Sequence, residues 1–542
     1  MNKLLQWPSA RQWVLIAGLA ALLLPVTIII YNVLHVTQGI WAYPLDDSFI
    51  HLAVAKSLAF HGVWGIDGQT FSSASSSPLY TLLLATGLKT AGNHFLLPFI
   101  INITAALAFV ILLQQWLRKQ NISLTRQVIV LLVTVMLIPL PVLVLFGMEH
   151  TLQLLFCFLF VYRFGEAMEK MTRQAPGKEA LPWQVYLYGL LLCSTRYEGV
   201  FLVMTAALLL LLRRRWLVAI QLGLVSTLPI LVFGFYSLWQ GGYFIPNSVL
   251  LKSNAPPPTV GNLLYFVIEE LPNRLYLGHG SMGGAAVQGL LILLPLASWL
   301  FATPLKQAAQ YRYILLVLTG GLLLHLLLAT TVLHPIRYEA YLVGCSLPVL
   351  GVLAARYGAG LLMAHGRSQR GVFILLLLLL LFPLLPRAKK GFDIIQQACI
   401  NIYEQQYQMG RFLQKYYCHE HAASGDIGAI AYFTAGNILD LEGLANNEVL
   451  RSRRSGYWGP RFLDWMCRKD SVKLAIVFDR SYSPLLRNQW KKVASWQIPN
   501  NVICYSDIVS FYAVDSTLAP GLKANLQAYQ SVLPREVMVK YY

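Results

Sequence analysis

Two adjacent carboxylates, Asp46 and Asp47, closely follow the first long apolar segment of the chain. Neighbouring carboxylates repel each other, so partial burial of the pair raises the pKa of one of them. A carboxyl group that titrates near neutral pH can act as a general base on a hydroxyl group. The pair can equally hold a divalent cation such as Mg²⁺ or Mn²⁺. The residues thus predict acid–base or metal-assisted chemistry, and a solvated turn is the structural alternative.

Four further polar residues stand beside the ends of later apolar segments, where a charge usually lines a cavity or a site. We predict that they contact substrate: Glu149, His150, Glu198 and Asn247. Glu149 has two other possible roles, to assist the acidic pair or to hold a metal. The structural alternatives are polar turns, and for Glu198 an ion pair with Arg196.

Three cations in similar positions are candidates for binding a phosphate group: Arg196, Lys252 and Arg337. A guanidinium matches the oxygens of a phosphate with two parallel donors. Structural roles are the alternatives, as an ion pair of Arg337 with Glu339 or as a lysine whose stem lies along apolar surface.

The elements that position these residues are membrane helices. Of the 542 residues, 56% are hydrophobic and only 12% are charged, about half the charged fraction of a soluble domain. The net charge of +18 is explained by basic cytoplasmic loops rather than by nucleic-acid binding. We predict about eleven spanning helices, at 12–34, 95–117, 127–146, 150–165, 183–196, 198–212, 216–238, 286–304, 313–332, 340–356 and 371–386.

The distribution of Lys and Arg residues predicts which ends of the helices face the cytoplasm. Of the 23 Lys and Arg residues in 1–386, 17 lie on the side of the membrane predicted to be cytoplasmic. This bias predicts a cytoplasmic N-terminus with an uncleaved first helix and, after an odd number of spans, an extracytoplasmic C-terminal region. The acidic pair then lies in an outer loop, 35–94, which includes a short amphipathic helix at Ile50–Phe60.

The composition changes near Pro386–Arg387, which predicts a membrane domain, 1–386, and a second domain, 387–542. The second domain alternates helix and strand patterns, with strands at Lys473–Phe478 and within Asn501–Val514, and is therefore predicted to be a small α/β domain. If it is extracytoplasmic, disulfides become possible among Cys399, Cys418, Cys467 and Cys504.

The order Asp46–Ile50, His61–Gly62, Ser75–Thr81 resembles the GT-C superfamily of integral membrane glycosyltransferases, and most closely its branch of mycobacterial terminal arabinofuranosyltransferases. Shorter matches lie at Gly147–Thr151, Arg196–Gly199, Pro246–Ser248 with Lys252, and Arg337–Tyr338. In the first of these, His150 interrupts a Gly-x-Glu-Thr pattern. The roles given above to Asn247 and Lys252 are implied by this resemblance. The resemblance implies a GT-C-like fold in the membrane domain.

The resemblance also implies an activity. It is the transfer, with inversion, of a hexosyl or pentosyl group from a polyprenyl-phosphate donor to a glycan, lipid or protein of the bacterial envelope. The enzyme would be a multi-pass protein of the inner membrane, in contact with membrane lipid. The resemblance favours Asp46 as the base. The alternatives are a transporter or lipid flippase and a non-catalytic envelope assembly protein.

The predicted orientation is tested by a fusion after Tyr542. A reporter that is active only in the cytoplasm should be silent there, because the C-terminal region is predicted to lie outside. The same reporter fused after Arg214, in a loop predicted to be cytoplasmic, is the positive control. An active reporter after Tyr542 would contradict the orientation.

Overall fold

The computed structural model describes residues 10–173, 180–252, 265, 268–269, 282–329, 336–364, 367–486 and 490–542. Most of the chain up to residue 402 is helical. The helices in this part are α1 (Ala10–Val36), α2 (Asp47–His61), α3 (Pro78–Ala91), α4 (Leu97–Arg118), α5 (Leu124–Leu137), α6 (Leu140–Leu145), α7 (His150–Arg173), α8 (Trp183–Thr195), α9 (Gly199–Leu212), α10 (Trp216–Trp239), α11 (Asn247–Lys252), α12 (Met282–Leu300), α13 (Ala302–Gln307), α14 (Ala309–Leu328), α15 (Ala340–Ala364) and α16 (Arg367–Ile402).

The helical membrane fold is confirmed. Six helices within the described residues are long and apolar enough to cross a membrane, namely α1, α4, α7, α10, α14 and α15. Shorter apolar helices at α5, α9 and α12 accompany them. Each of the eleven predicted spans coincides with a helix, but the span at 127–146 is divided into α5 and α6. Pro139 and Pro141 lie at the division. They interrupt the helix because proline lacks the N–H group that a helix interior requires.

The C-terminal part contains the predicted α/β domain. It comprises a π-helical turn (Tyr403–Tyr407), α17 (Gln408–Tyr416), β1 (Ala422–Ser424), α18 (Gly428–Phe433), β2 (Ile438–Asp440), α19 (Asn447–Ser455), α20 (Pro460–Lys469), β3 (Leu474–Val477), α21 (Asp479–Leu486), β4 (Lys491–Gln497), β5 (Ile508–Ala513), two 3₁₀ turns (Ser516–Leu518 and Gln530–Val532), α22 (Ala519–Tyr529) and β6 (Met538–Tyr541).

The six strands form one mixed sheet in the order β2-β1-β3-β5-β4-β6. β1 pairs in parallel with β2 and β3, and the other pairings are antiparallel. One face of the sheet packs on an aromatic core in which Trp496 contacts Phe511, Phe412 and Tyr529, with ring centroids 4.3 to 6.0 Å apart. This aromatic cluster is continuous with the buried apolar side chains of the membrane helices, whereas the other face of the sheet packs on a separate hydrophobic cluster of the C-terminal domain that includes Leu463, Met466 and Ala475.

The two parts of the chain share a helix. α16 is 36 residues long and runs without interruption through the predicted border at Pro386–Arg387. Its last turns lead directly into the π-helical turn and α17 of the C-terminal domain. The division at residue 386 therefore stays a prediction about domains, and the backbone itself is continuous there.

Helix α2 does not have the exposed polar face that the sequence predicted. Most of its residues are buried, including Ser48 and His51. The reason is that α18 of the C-terminal domain covers it: the Phe49 ring lies 6.0 Å from the Tyr432 ring, and Lys56 donates a hydrogen bond to the Tyr432 carbonyl at 2.7 Å. The acidic pair thus begins a helix held between the two parts of the molecule.

The cysteines do not form the disulfides that the sequence made possible. All seven lie in the described residues as free thiols. Of the four in the C-terminal domain, Cys399 and Cys467 are buried, and Cys418 and Cys504 are partly exposed.

We expect Gly428→Ala to weaken the contact between α2 and α18. A Cβ atom at Gly428 would meet the Asp46 backbone oxygen at 2.1 Å and the Asp46 carboxylate carbon at 2.8 Å. Overpacking of this kind costs about 1–3 kcal/mol. The measurement is thermal unfolding and protease resistance of the purified protein in lipid nanodiscs.

The control for this variant is Gly521→Ala. A Cβ atom at Gly521, in α22 of the same domain, meets nothing within 4 Å, and alanine favours the helix. Equal stability of the two variants would contradict the close contact at Gly428.

Candidate active site

A cavity of about 720 Å³ lies among α2, the loop before α3, the start of α9, the segment from α10 to α11, the end of α14 and the C-terminal domain. Its wall is mostly apolar, as is usual for a site that binds an organic ligand. The polar and charged residues in the wall include Asp47, His51, Ser76, Arg196, Glu198, Tyr243, Ser248, Tyr338 and Arg454. The cavity thus combines an apolar surface with a few charged groups.

The two adjacent carboxylates have different partners. Asp46 accepts hydrogen bonds from the backbone N–H groups of Gly428, at 2.6 Å, and Ala429, at 2.8 Å. Asp47 accepts a hydrogen bond from the Arg337 guanidinium at 2.8 Å and lines the cavity. Consecutive residues of a helix are about 100° apart around its axis, which separates the two side chains. Only Asp47 is thus a cavity residue.

The charge state of Asp46 depends on its burial between the two domains. Burial and the nearby Asp426 carboxylate raise the pKa of Asp46 to about 8, although the two backbone donors favour its ionised form. Asp426 itself accepts a hydrogen bond from Gln406 at 2.8 Å. Both carboxyl oxygens of Asp46 therefore accept hydrogen bonds from the C-terminal domain and do not face the cavity.

Arg337 lies behind the cavity wall and is only 1% exposed. Besides Asp47, its guanidinium contacts the Met148 sulfur at 2.7 Å and the Tyr338 hydroxyl at 3.1 Å. It also lies over the Tyr338 ring, 4.8 Å from the centroid. These contacts hold Arg337 in one orientation and direct one N–H group at Asp47.

Arg196 joins two carboxylates at the cavity wall. It donates to Glu149 at 2.5 Å, and through Nε and Nη2 to the two oxygens of Glu198 at 3.1 and 2.6 Å. The pairing with Glu198 is the ion pair that the sequence offered as a structural alternative. A guanidinium has five N–H donors, of which three are used in these contacts, so two have no partner among the described residues and remain for a ligand.

His51 completes the network on the other side of Glu149. Its Nε2 atom lies 3.2 Å from a Glu149 oxygen, and its Nδ1 atom lies 3.0 Å from the Ser75 hydroxyl. Glu149 is fully buried between His51 and Arg196, which fixes the orientation of the Arg196 guanidinium. His51 was not among the residues predicted to form the site. Its position four residues after Asp47 is the signal that could have found it, because residues i and i+4 share a helix face.

Another arginine outside the predicted set organises the Arg337 turn. Arg387, from α16, is fully buried and donates to Glu339 at 2.6 Å, to the Ile336 carbonyl at 2.6 Å and to the Leu137 carbonyl at 3.1 Å. Glu339 thus pairs with Arg387 and not with Arg337, the partner that the sequence suggested. The pattern around Arg387 gave no sign of this long-range contact.

The remaining predicted residues lie outside the cavity wall. His150 is buried behind Tyr338, with ring centroids 5.7 Å apart. Asn247 is buried, and its amide nitrogen donates to the Asn447 side chain at 2.8 Å and to the Gly443 carbonyl at 3.3 Å. Lys252 is the last residue of α11, and its side chain lies outside the described residues.

A metal at the acidic pair is not supported by the positions of its carboxylates. Asp46 and Asp47 face different partners, so a shared cation would require one of them to leave its hydrogen bonds. Within the described ranges, no three His, Cys, Asp or Glu side chains form a group that could hold a metal ion. The Mg²⁺ or Mn²⁺ hypothesis stays a prediction.

Comparisons with known proteins agree with this architecture. Residues 399–512 match a family model described as a domain of unknown function, DUF8728. No curated protein matches the sequence. Among solved structures, the crystal structure of ArnT from Cupriavidus metallidurans bound to undecaprenyl phosphate is similar, with 12% sequence identity and a TM-score of 0.51. The match covers 94% of this chain and 99% of that chain. The chain therefore shares the overall fold of that protein, which agrees with the membrane fold expected from the resemblance.

Proposed function

We propose that this protein is an inverting glycosyltransferase of the bacterial inner membrane. It moves a sugar from a polyprenyl-phosphate donor to a glycan, lipid or protein acceptor on the extracytoplasmic side. The observation that carries the proposal is the pairing of Asp47 with Arg337 beside a largely apolar cavity that Arg196 also lines. The structural likeness to a protein bound to undecaprenyl phosphate supports a lipid phosphate as the donor.

We assign the general base to Asp47 rather than to Asp46. A base must reach the proton that it removes. Asp47 lines the cavity, whereas both oxygens of Asp46 accept hydrogen bonds from α18. Asp47 takes the proton of an acceptor hydroxyl as the hydroxyl oxygen attacks the anomeric carbon. The bond from that carbon to the phosphate oxygen breaks on the opposite side, which inverts the configuration.

The leaving phosphate takes the electron pair of the broken bond, and its negative charge requires cations. Arg196 lies at the cavity wall with two N–H groups that no described residue occupies, and Arg337 lies behind the wall, against the Tyr338 ring. Fixed donors aimed at developing charge are an effective source of catalysis. Lys252 is a third candidate for this role.

The apolar part of the cavity suits the lipid of the donor. Phe201 and Val200 from α9, Ile230 from α10 and Leu328 from α14 line it. A prenyl chain that enters this cavity from the bilayer exchanges one apolar environment for another, so the wall can accept the chain next to the charged groups without burying unpaired polar groups. We assign Glu149 and His51 the role of holding Arg196, and Glu198 that of contacting a substrate hydroxyl next to Arg196.

We expect Asp47→Asn to reduce sugar transfer by about 10²–10⁴-fold, because the amide keeps the size of the side chain but cannot accept the proton. The measurement is transfer from a polyprenyl-phosphate sugar by purified protein in lipid. Asp46→Asn is the matched comparison and should mainly lower stability, since an amide NH₂ cannot accept from Gly428 or Ala429.

Two results would change this assignment. Full turnover by Asp47→Asn together with inactive but folded Asp46→Asn would move the base to Asp46. Full turnover by the double asparagine variant would remove the acidic pair from the reaction, and the transporter and assembly hypotheses predict no transfer in any variant.

We expect Arg196→Lys and Arg337→Lys to lose most activity although the charge is retained. Lysine has no planar fork, so it cannot bridge Glu149 and Glu198, or contact Asp47 while lying over Tyr338. The readouts are kcat and donor KM. The control is Arg173→Lys, since Arg173 forms an exposed ion pair with Glu169 at the far end of α7. Unchanged kcat and KM in both site variants would exclude a role for the guanidinium groups.

A further inference from the structure

The C-terminal domain contributes a charged helix face to the cavity. Asn447, Arg451 and Arg454 lie at positions i, i+4 and i+7 of α19, which places them on one face of the helix. The first two residues contact the segment between α10 and α11. Asn447 donates to the Gly241 carbonyl at 3.3 Å, and the Arg451 side chain lies near the Tyr243 side chain. The third residue, Arg454, lines the cavity together with Tyr243.

This helix face is held in place from the membrane domain. The buried Asn247 amide donates to Asn447 at 2.8 Å and to the Gly443 carbonyl at 3.3 Å. Asn247 also contacts the Ser73 hydroxyl in the loop before α3. These contacts set the position of α19 relative to the cavity, so Arg454 is presented to it by an ordered helix and not by a mobile loop.

Arg454 differs from the other arginines near the cavity in its ion pairing. Arg196 has two carboxylate partners and Arg337 has one. Arg453, the neighbour of Arg454 in the sequence, pairs with Glu442 at 3.2 Å and donates to the Leu441 carbonyl. In the part of the chain that the structure describes, no carboxylate lies within ion-pair distance of Arg454. Its positive charge is thus available to a ligand in the cavity.

The charge of the cavity gives this arginine a role. The two carboxylates on Arg196 already exceed its single charge, and Asp47 offsets Arg337. A phosphate group that enters the cavity therefore meets little uncompensated positive charge from these two residues. Arg454 supplies that charge from the C-terminal domain, and its guanidinium is suited to phosphate oxygens.

We propose that Arg454 forms an anion subsite that takes a phosphate group at the cavity, so that the C-terminal domain takes part in substrate binding. This inference rests on the proposed function. The phosphate has two possible sources, the polyprenyl-phosphate donor and an acceptor that carries a phosphate group. The chemistry of the subsite is the same in both cases.

The experiment compares Arg454→Gln, Arg454→Lys and the wild type as full-length protein in nanodiscs. Binding of undecaprenyl phosphate is measured separately from sugar transfer, for which KM is determined for donor and acceptor. Loss of a charged hydrogen bond is expected to weaken binding about 10-fold or more, with kcat little changed. Arg454→Lys should restore most of the affinity, because it keeps a positive charge at the cavity.

The matched control is Arg468→Gln. Arg468 lies on α20 of the same domain, is 79% exposed and pairs with Asp464, so its loss should change neither binding nor transfer. Weaker binding of undecaprenyl phosphate by Arg454→Gln identifies the donor as the source. A higher acceptor KM with unchanged undecaprenyl phosphate binding identifies the acceptor.

The inference and the proposed function fail in different ways. If the wild type transfers no sugar but Arg454→Gln binds undecaprenyl phosphate more weakly, the proposed function is wrong and the anion subsite stands. Unchanged undecaprenyl phosphate binding in Arg454→Gln, with an unchanged acceptor KM or with no transfer by the wild type, overturns the subsite. The thermal unfolding temperature of each variant verifies that the fold is retained.

Discussion

The rest of the site depends on the contact between the Asp46 carboxylate and the first two N–H groups of α18. A buried carboxyl group needs hydrogen-bond donors in place of the water that it loses, and here the donors belong to the C-terminal domain. This contact places α18 over α2, next to Phe49 and Lys56. With α2 held in this way, Asp47 and His51, one helical turn apart, line the cavity together.

The buried charges at the helix ends occur as compensated groups. Arg196 has Glu149 and Glu198, Arg337 has Asp47, and Arg387 has Glu339. Removal of one partner of a buried pair costs about 3–5 kcal/mol, because the other charge is left uncompensated. Each arginine is therefore fixed in orientation, which is useful for directing donors at a ligand. The same pairing limits the positive charge that these residues can offer, and this makes Arg454 distinctive.

The membrane helices and the C-terminal domain are joined by a continuous helix and also contact each other through side chains. Helix α16 supplies Arg387, which ties the end of α5 to the turn that carries Arg337. The same helix continues to residue 402 and leads into the turn that holds Gln406 against Asp426. Together with the Asn247–Asn447 contact, this gives the C-terminal domain three attachments around the cavity. Asp46, α16 and α19 provide them.

The sequence by itself determined the membrane class, the positions of the helices and most of the charged residues at their ends, since apolar length and local charge are properties of short segments. It also identified the α/β character of the C-terminal domain from its strand patterns. It did not show that α2 is buried, because the polar pattern of Ile50–Phe60 carries no information about α18, nearly 380 residues later. Nor could it separate the roles of Asp46 and Asp47, which are chemically identical.

Only the tertiary structure directed one carboxylate to the backbone of Gly428 and Ala429 and the other to the cavity. It also brought Arg387 to Glu339 and Arg454 to the cavity, because contacts between residues far apart in the sequence are decided by the folded packing and not by neighbours in the sequence.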